Sequence, residues 1–143
     1  MAVVYPVPVH LVDRLLIENR NVFVKYLPHT TKIPLQQGDK VVFYASYSNK
    51  QVVGEGVVEN IEFLTPDTVI SKYGEKTFLS RDELIAYTAQ QPSRNSSKKM
   101  LVVVLAKLKK YKKGIVYPRP ITMAGEYLTK EKYKQLMLDN LSP

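Results

Sequence analysis

The chain has 143 residues, 45% of them hydrophobic and 24% charged. That suits one globular domain over residues 1–143 with a continuous core, and excludes a largely disordered chain. The absence of cysteine excludes a disulfide framework and any thiolate site, and no apolar run approaches the roughly 20 residues of a membrane helix. The opening residues lack the basic region of a signal peptide, so the expected location is the cytoplasm. A net charge of +8 raises the expectation of a polyanionic partner, because each neutralised phosphate releases a counterion.

The charge is unevenly spread. No acidic residue occurs from Leu84 to Gly125, a stretch carrying Arg94, Lys98, Lys99, Lys107, Lys109, Lys110, Lys112, Lys113 and Arg119. Glu55, Glu59, Glu62, Asp67, Glu75, Asp82 and Glu83 crowd the part before it. This division favours an oriented binding face over general solubility.

In chain order, Val3 to Val9 is β-prone, and Pro6 and Pro8 predict an edge strand or the exit from one. Leu11, Val12, Leu15 and Leu16 recur at helical spacing, which predicts a helix from His10 to Asn19. Asn21 to Tyr26 alternates as a strand, and Pro28 to Gln37 reads as a loop. Gly38-Asp39 turns the chain into a buried strand, Lys40 to Ser46. A tight connection, Tyr47 to Lys50, leads to a long strand from Gln51 to Phe63, where Gly54-Glu55-Gly56 invites a bulge or a close backbone approach.

Thr65-Pro66-Asp67 starts a helix that Gly74 ends, and Ser80-Arg81-Asp82-Glu83 is a capping box for a helix to about Thr88. Met100 to Leu105 is an apolar strand running into the lysine cluster. Thr129 caps a final helix to about Asp139. The predicted class is α+β, a mixed or antiparallel sheet curling into a small barrel with short flanking helices.

Three stretches carry a family likeness. They are Val7-Pro8-Val9-His10 leading through a helix into Asn21–Tyr26, Gly38–Ser46 with Val53-Gly54-Glu55-Gly56-Val57-Val58, and Pro120-Ile121-Thr122-Met123-Ala124-Gly125. Together they resemble an uncharacterised archaeal protein family with a PUA-like fold, related to the ASCH and EVE domains. The resemblance implies a mixed β-pseudobarrel with a cleft for RNA or a modified base. The ASCH motif Gly-x-Lys-x-x-Glu-x-Arg, laid on this chain, places its lysine on Arg20 and its arginine on Lys25, while its glycine falls on Glu18 and its glutamate on Phe23. Some ASCH proteins are amidohydrolases of acylated cytidine, but the threonine they use also falls on Phe23.

Candidate nucleic-acid contacts form three groups. Arg20, Lys25 and Tyr26 adjoin the loop His29-Thr30-Thr31-Lys32, offering phosphate donors, a ring and hydroxyls; the structural alternative is a solvated strand edge with a half-buried tyrosine. Tyr44, Ser46, Tyr47 and Lys50 could form a base platform, or a strand rim. Lys107, Lys109, Lys110, Lys112 and Lys113 around Leu108 and Tyr111 could be a hairpin tip entering a phosphate groove, with Arg119 nearby, or a lysine-rich edge that discourages aggregation. Thr122, Met123, Gly125 and Tyr127 complete a conformationally special segment.

For catalysis, Glu55 could pair with Lys25 across a cleft, or form a structural ion pair. His10 and His29 lack metal-ligand spacing, and no nucleophile elbow or phosphate-binding glycine loop occurs. No cofactor or metal is expected. The expected partner is RNA, with single-stranded DNA as an alternative, and without a membrane role. The further alternatives are a hydrolase of a modified nucleoside and a subunit docked on RNA in a ribosomal or RNA-processing particle.

Overall fold

The computed structural model describes residues 1–26, 35–46, 50–89, 99–122 and 125–141, with side chains to Leu138 in the last segment. The elements are β1 (Ala2–Pro8), α1 (Val9–Leu16), β2 (Val22–Lys25), β3 (Lys40–Ser46) and β4 (Gln51–Leu64). After them come α2 (Pro66–Tyr73), a single 3-10 turn, α3 (Arg81–Ala89), β5 (Met100–Val116), β6 (Glu126–Leu128) and α4 (Lys130–Leu141). The strands form one mixed sheet in the order β2-β5-β4-β3-β1-β6, with β1 and β3 parallel and the other pairs antiparallel. This is the α+β, PUA-like pseudobarrel that the sequence implies.

Strand alternation gives the sheet two apolar faces. Val3, Tyr5, Val7, Val41, Phe43 and Ala45 point inward and pack with Leu11, Val12 and Leu15 of α1, Val69 of α2 and Leu84 of α3. Ala2, Val4, Val42 and Tyr44 point outward and are covered by Tyr133, Leu136 and Met137 of α4. Rings close the barrel where backbone pairing stops. Phe23 of β2 stacks on Tyr5 of β1, with centroids 5.6 Å apart, and lies 6.0 Å from Phe43 and 5.1 Å from Phe78.

The helix signals at Ser80 and Thr129 act as read, whereas Thr65 stands at the N-cap of α2 without a side-chain capping bond, its hydroxyl against that of Thr68. Ser80 and Glu83 exchange the reciprocal bonds of a capping box, Ser80 N–H to Glu83 Oε1 at 2.8 Å and Glu83 N–H to Ser80 Oγ at 3.2 Å. The Thr129 hydroxyl oxygen accepts from Lys132 N–H at 3.1 Å. Asn19 and Gly74 take left-handed φ values of 57° and 53° after α1 and α2.

β1 pairs with β3 along its whole length but with β6 only at Ala2–Val4, so Pro6 and Pro8 lie where β1 is the sheet edge among the described residues, as the prolines predict. Two expectations are corrected. β6 itself is a further strand, too short and polar at Glu126 to signal from periodicity. β5 does not stop at Leu105. Its lysines continue the strand because Gln51–Val57 of β4 supplies the ladder to Val116.

Candidate nucleic-acid interface

The lysine cluster is not a hairpin tip; it lies within β5. Past Leu105, β5 is hydrogen-bonded to β4 alone among the described residues, which leaves Lys107–Lys113 on an open sheet edge. Two irregularities shape that edge. Lys107 and Leu108 stand opposite Gly56 alone, with Lys107 at φ 50°, and residues 111–114 stand opposite Val53 alone. The β4 glycines allow the close approach of β5 here, most strictly at Gly54, where a side chain would meet backbone. A Cβ on Gly54 would lie 2.6 Å from the Lys109 carbonyl oxygen, and one on Gly56 2.9 Å from Leu108 Cδ2.

Lys107, Lys109, Lys110, Lys112 and Lys113 are all exposed. Among the described residues only Lys110 has an ion-pair partner, the exposed Asp13 of α1 at 3.1 Å.

A cleft of about 360 Å³ opens at the seam between the C-terminal halves of β1 and β2. Pro6, Pro8, Phe23 and Phe78 give it apolar walls, and His10, Lys25, Glu83 and Tyr87 supply its polar groups. Lys25 is only 3% exposed, with its ammonium 5.5 Å from the Tyr5 ring centroid. Tyr5 is fully buried, and its hydroxyl has no hydrogen-bond partner among the described residues. Burial, followed by the neighbouring Tyr127, raises its pKa far above the phenol range.

Glu83 is committed to Arg14 and the Ser80 cap. Burial would raise its pKa, but those bonds outweigh it and hold the carboxyl at about 2. The helix α1 links cleft to lysine edge: His10 and Leu11 line the cleft, and Asp13, one turn on, holds Lys110.

The sequence-nominated residues therefore separate. Arg20 lies before β2, at the end opposite Lys25; it lines another cavity with Thr77, Ser80 and Arg81, and pairs with Glu18 at 3.7 Å. Tyr26 is no stacking platform. It is 4% exposed, packs on Tyr87 at 5.2 Å, and its backbone N–H donates to the Tyr87 hydroxyl at 2.9 Å.

Tyr44 is likewise buried, edge-on to Tyr117 at 6.3 Å. Ser46 is half-buried opposite Pro8, and Lys50 is exposed with φ 58°, its carbonyl accepting from Tyr117 N–H at 3.3 Å. Arg119 is bound to the Glu126 carboxylate. His29, Thr30, Thr31, Lys32, Tyr47, Arg94, Lys98 and Met123 lie outside the described residues.

Lys25 and Glu55 do not form a pair. Lys25 faces the barrel interior with Tyr5, whereas Glu55 is opposite Val42, on the face that α4 covers. There Glu55, 5% exposed, accepts from Tyr133 Oη at 2.6 Å and Tyr111 Oη at 2.7 Å, with Lys40 Nζ 3.2 Å away. Burial would raise its pKa, but these donors outweigh it and hold it below the usual carboxylate range.

Lys40 also donates to Tyr133 Oη at 2.9 Å and sits 4.5 Å from that ring's centroid. Tyr5, Lys40, Tyr87, Tyr111 and Tyr133 were not singled out for these roles from sequence. Each sits on an element of ordinary composition, and only the pairing of distant strands and the packing of α3 and α4 give it a partner.

Among the described residues no cluster of His, Asp and Glu could hold a metal ion, and no helix is long and apolar enough to cross a membrane.

An uncharacterized protein of Methanocaldococcus jannaschii is 28% identical over 104 residues, covering 68% of this chain and 96% of its own. The ASCH protein of Zymomonas mobilis, at 18% identity, superposes with a TM-score of 0.75 over 96% of this chain and 94% of that one. A hypothetical protein from Leishmania major superposes with a TM-score of 0.58 at 13% identity, over 97% of this chain and 93% of that one. These structures share the fold. The model of the family described as "Domain of unknown function (DUF365)" matches residues 1–130, and the chain belongs to that family, an archaeal group with an ASCH-like fold of the PUA type.

Proposed function

We propose that the protein binds RNA or a related nucleic acid, placing the phosphate backbone on the β5 lysines and an unpaired or modified base in the seam cleft. The observation that carries this reading is the open β5 edge, where Lys107, Lys109, Lys112 and Lys113 are exposed with no carboxylate partner among the described residues. Such lysines also discourage edge-to-edge association, and their number on one edge, with no acid among them, is what favours a phosphate partner. The cleft adds volume enough for a nucleobase, apolar walls to stack on it, and a buried ammonium to meet its carbonyl oxygens. The ASCH-like fold is compatible with that use.

The test is fluorescence anisotropy with labelled RNA and DNA oligonucleotides across a salt series. The expected result is affinity that falls steeply with salt, and a loss of about 100-fold or more when the five lysines are changed to Gln. Salt-insensitive binding, or an unchanged affinity in that variant, refutes the proposal. The alternative of a nucleoside hydrolase built on Lys25 with Glu55 gains no support from the geometry, because the two groups lie on opposite faces of the sheet.

A further inference from the structure

An unpaired base for the cleft can come from a single strand or from a base turned out of a duplex, and the register of β5 bears on which of the two the edge holds. Lys109 stands opposite Glu55 and shares the α4 side of the sheet with Tyr111, which bonds the same carboxylate. Lys110, the next residue, reaches Asp13 of α1 on the other side. Immediately beyond them, residues 111–114 crowd opposite Val53 and put exposed Lys112 and Lys113 in a bulge of the edge. Cations therefore leave this edge to both sides as well as at its bulge.

A single phosphate chain laid along one face of the sheet meets one of these sets. A duplex groove presents two phosphate rows, and the major groove of B-form DNA, about 12 Å across, admits a β-ribbon. Resting on the nucleic-acid reading above, we propose that the open edge of β5 seats in a groove of double-stranded nucleic acid, with Lys109 and Lys110 contacting phosphates of opposite strands. Asp13 competes with the phosphate for Lys110, so it tunes the grip on one strand. Lysines on an open edge also oppose strand-to-strand association between copies. That role alone gives no reason for a duplex to bind better than a single strand.

The experiment compares a mixed-sequence 20-base-pair duplex, as RNA and as DNA, with its separated strands by anisotropy over a salt series. The proteins are wild type, Lys109→Gln, Lys110→Gln and Asp13→Asn. The duplex should bind at least tenfold tighter than either strand. Each lysine change should weaken duplex binding roughly five- to tenfold and lower the salt slope by about one, to a similar degree for both. Asp13→Asn should strengthen it.

Equal or tighter binding of the single strand overturns the proposal, as does an effect confined to one of the two lysines. A variant that self-associates while keeping its duplex affinity also overturns it, in favour of the anti-aggregation role. Absence of binding to every probe is a different failure, that of the nucleic-acid reading itself.

Discussion

Replacing Glu55 by Ala should destabilise the protein by about 3 kcal/mol. The carboxylate is 5% exposed and accepts from two tyrosine hydroxyls at 2.6 and 2.7 Å, with Lys40 at 3.2 Å. Hydrogen bonds to a charged group contribute roughly 1.5–3 kcal/mol each, so the two tyrosines set a gross loss of about 3–6 kcal/mol. Lys40 adds little, since its side chain is 39% exposed and rehydrates when the partner is gone. Relief from burying a carboxylate offsets part of the loss, which gives a net value at the lower end of that range.

Tyr133→Phe removes one donor and should cost about 1 kcal/mol. The Glu55→Ala/Tyr133→Phe double variant should be more stable than additivity predicts, by about 1 kcal/mol. Urea unfolding followed by far-ultraviolet circular dichroism measures all three. A Glu55→Ala protein within about 0.5 kcal/mol of wild type would refute the reasoning and return this carboxylate to the list of groups held for chemistry.

Acid should weaken the fold through Glu83 and Glu55. Both have folded pKa values below the ordinary carboxylate value, so their stabilisation is complete above about pH 4.5 and is lost as pH falls, for Glu83 through about 2. Arg14→Gln, which removes the main partner of Glu83, should flatten that loss in unfolding curves taken at pH 5, 4 and 3; an unchanged slope would count against it. Gly125→Ala should cost about 2 kcal/mol or more, because φ is +80° and the new Cβ would lie 2.5 Å from Tyr5 Cδ1 and 2.8 Å from the Val4 carbonyl oxygen. Thermal unfolding checks it, and a Tm equal to wild type would show that the Tyr5 ring yields more easily than its burial implies.

The local features of this fold are those its sequence specifies locally. The Ser80–Glu83 box, the Thr129 cap, the left-handed Asn19 and Gly74, and the bulge opposite Gly56 each depend on residues a few positions apart, or on the bare absence of a Cβ. The charge division was equally legible, because composition along the chain is read directly. The apolar run after the Gly38-Asp39 turn assigned Lys40–Ser46 to a buried strand and the resemblance implied the pseudobarrel, since both rest on patterns carried by consecutive residues.

What the tertiary structure decided is which residues meet. Pro6 and Pro8 marked an edge, and the half of β1 that carries them is one among the described residues; its first half is covered by β6, more than a hundred residues on, which no local signal announced. Tyr26 and Tyr44 had the composition of stacking platforms, and α3 and the outer core buried them. Glu55 and Lys25 were separated by strand parity, a property of register that no spacing in the chain reveals, and Glu55 found its partners on β3, β5 and α4. Sequence carries the strengths of individual groups; the pairing of distant strands fixes the direction of each side chain, and a contact needs both.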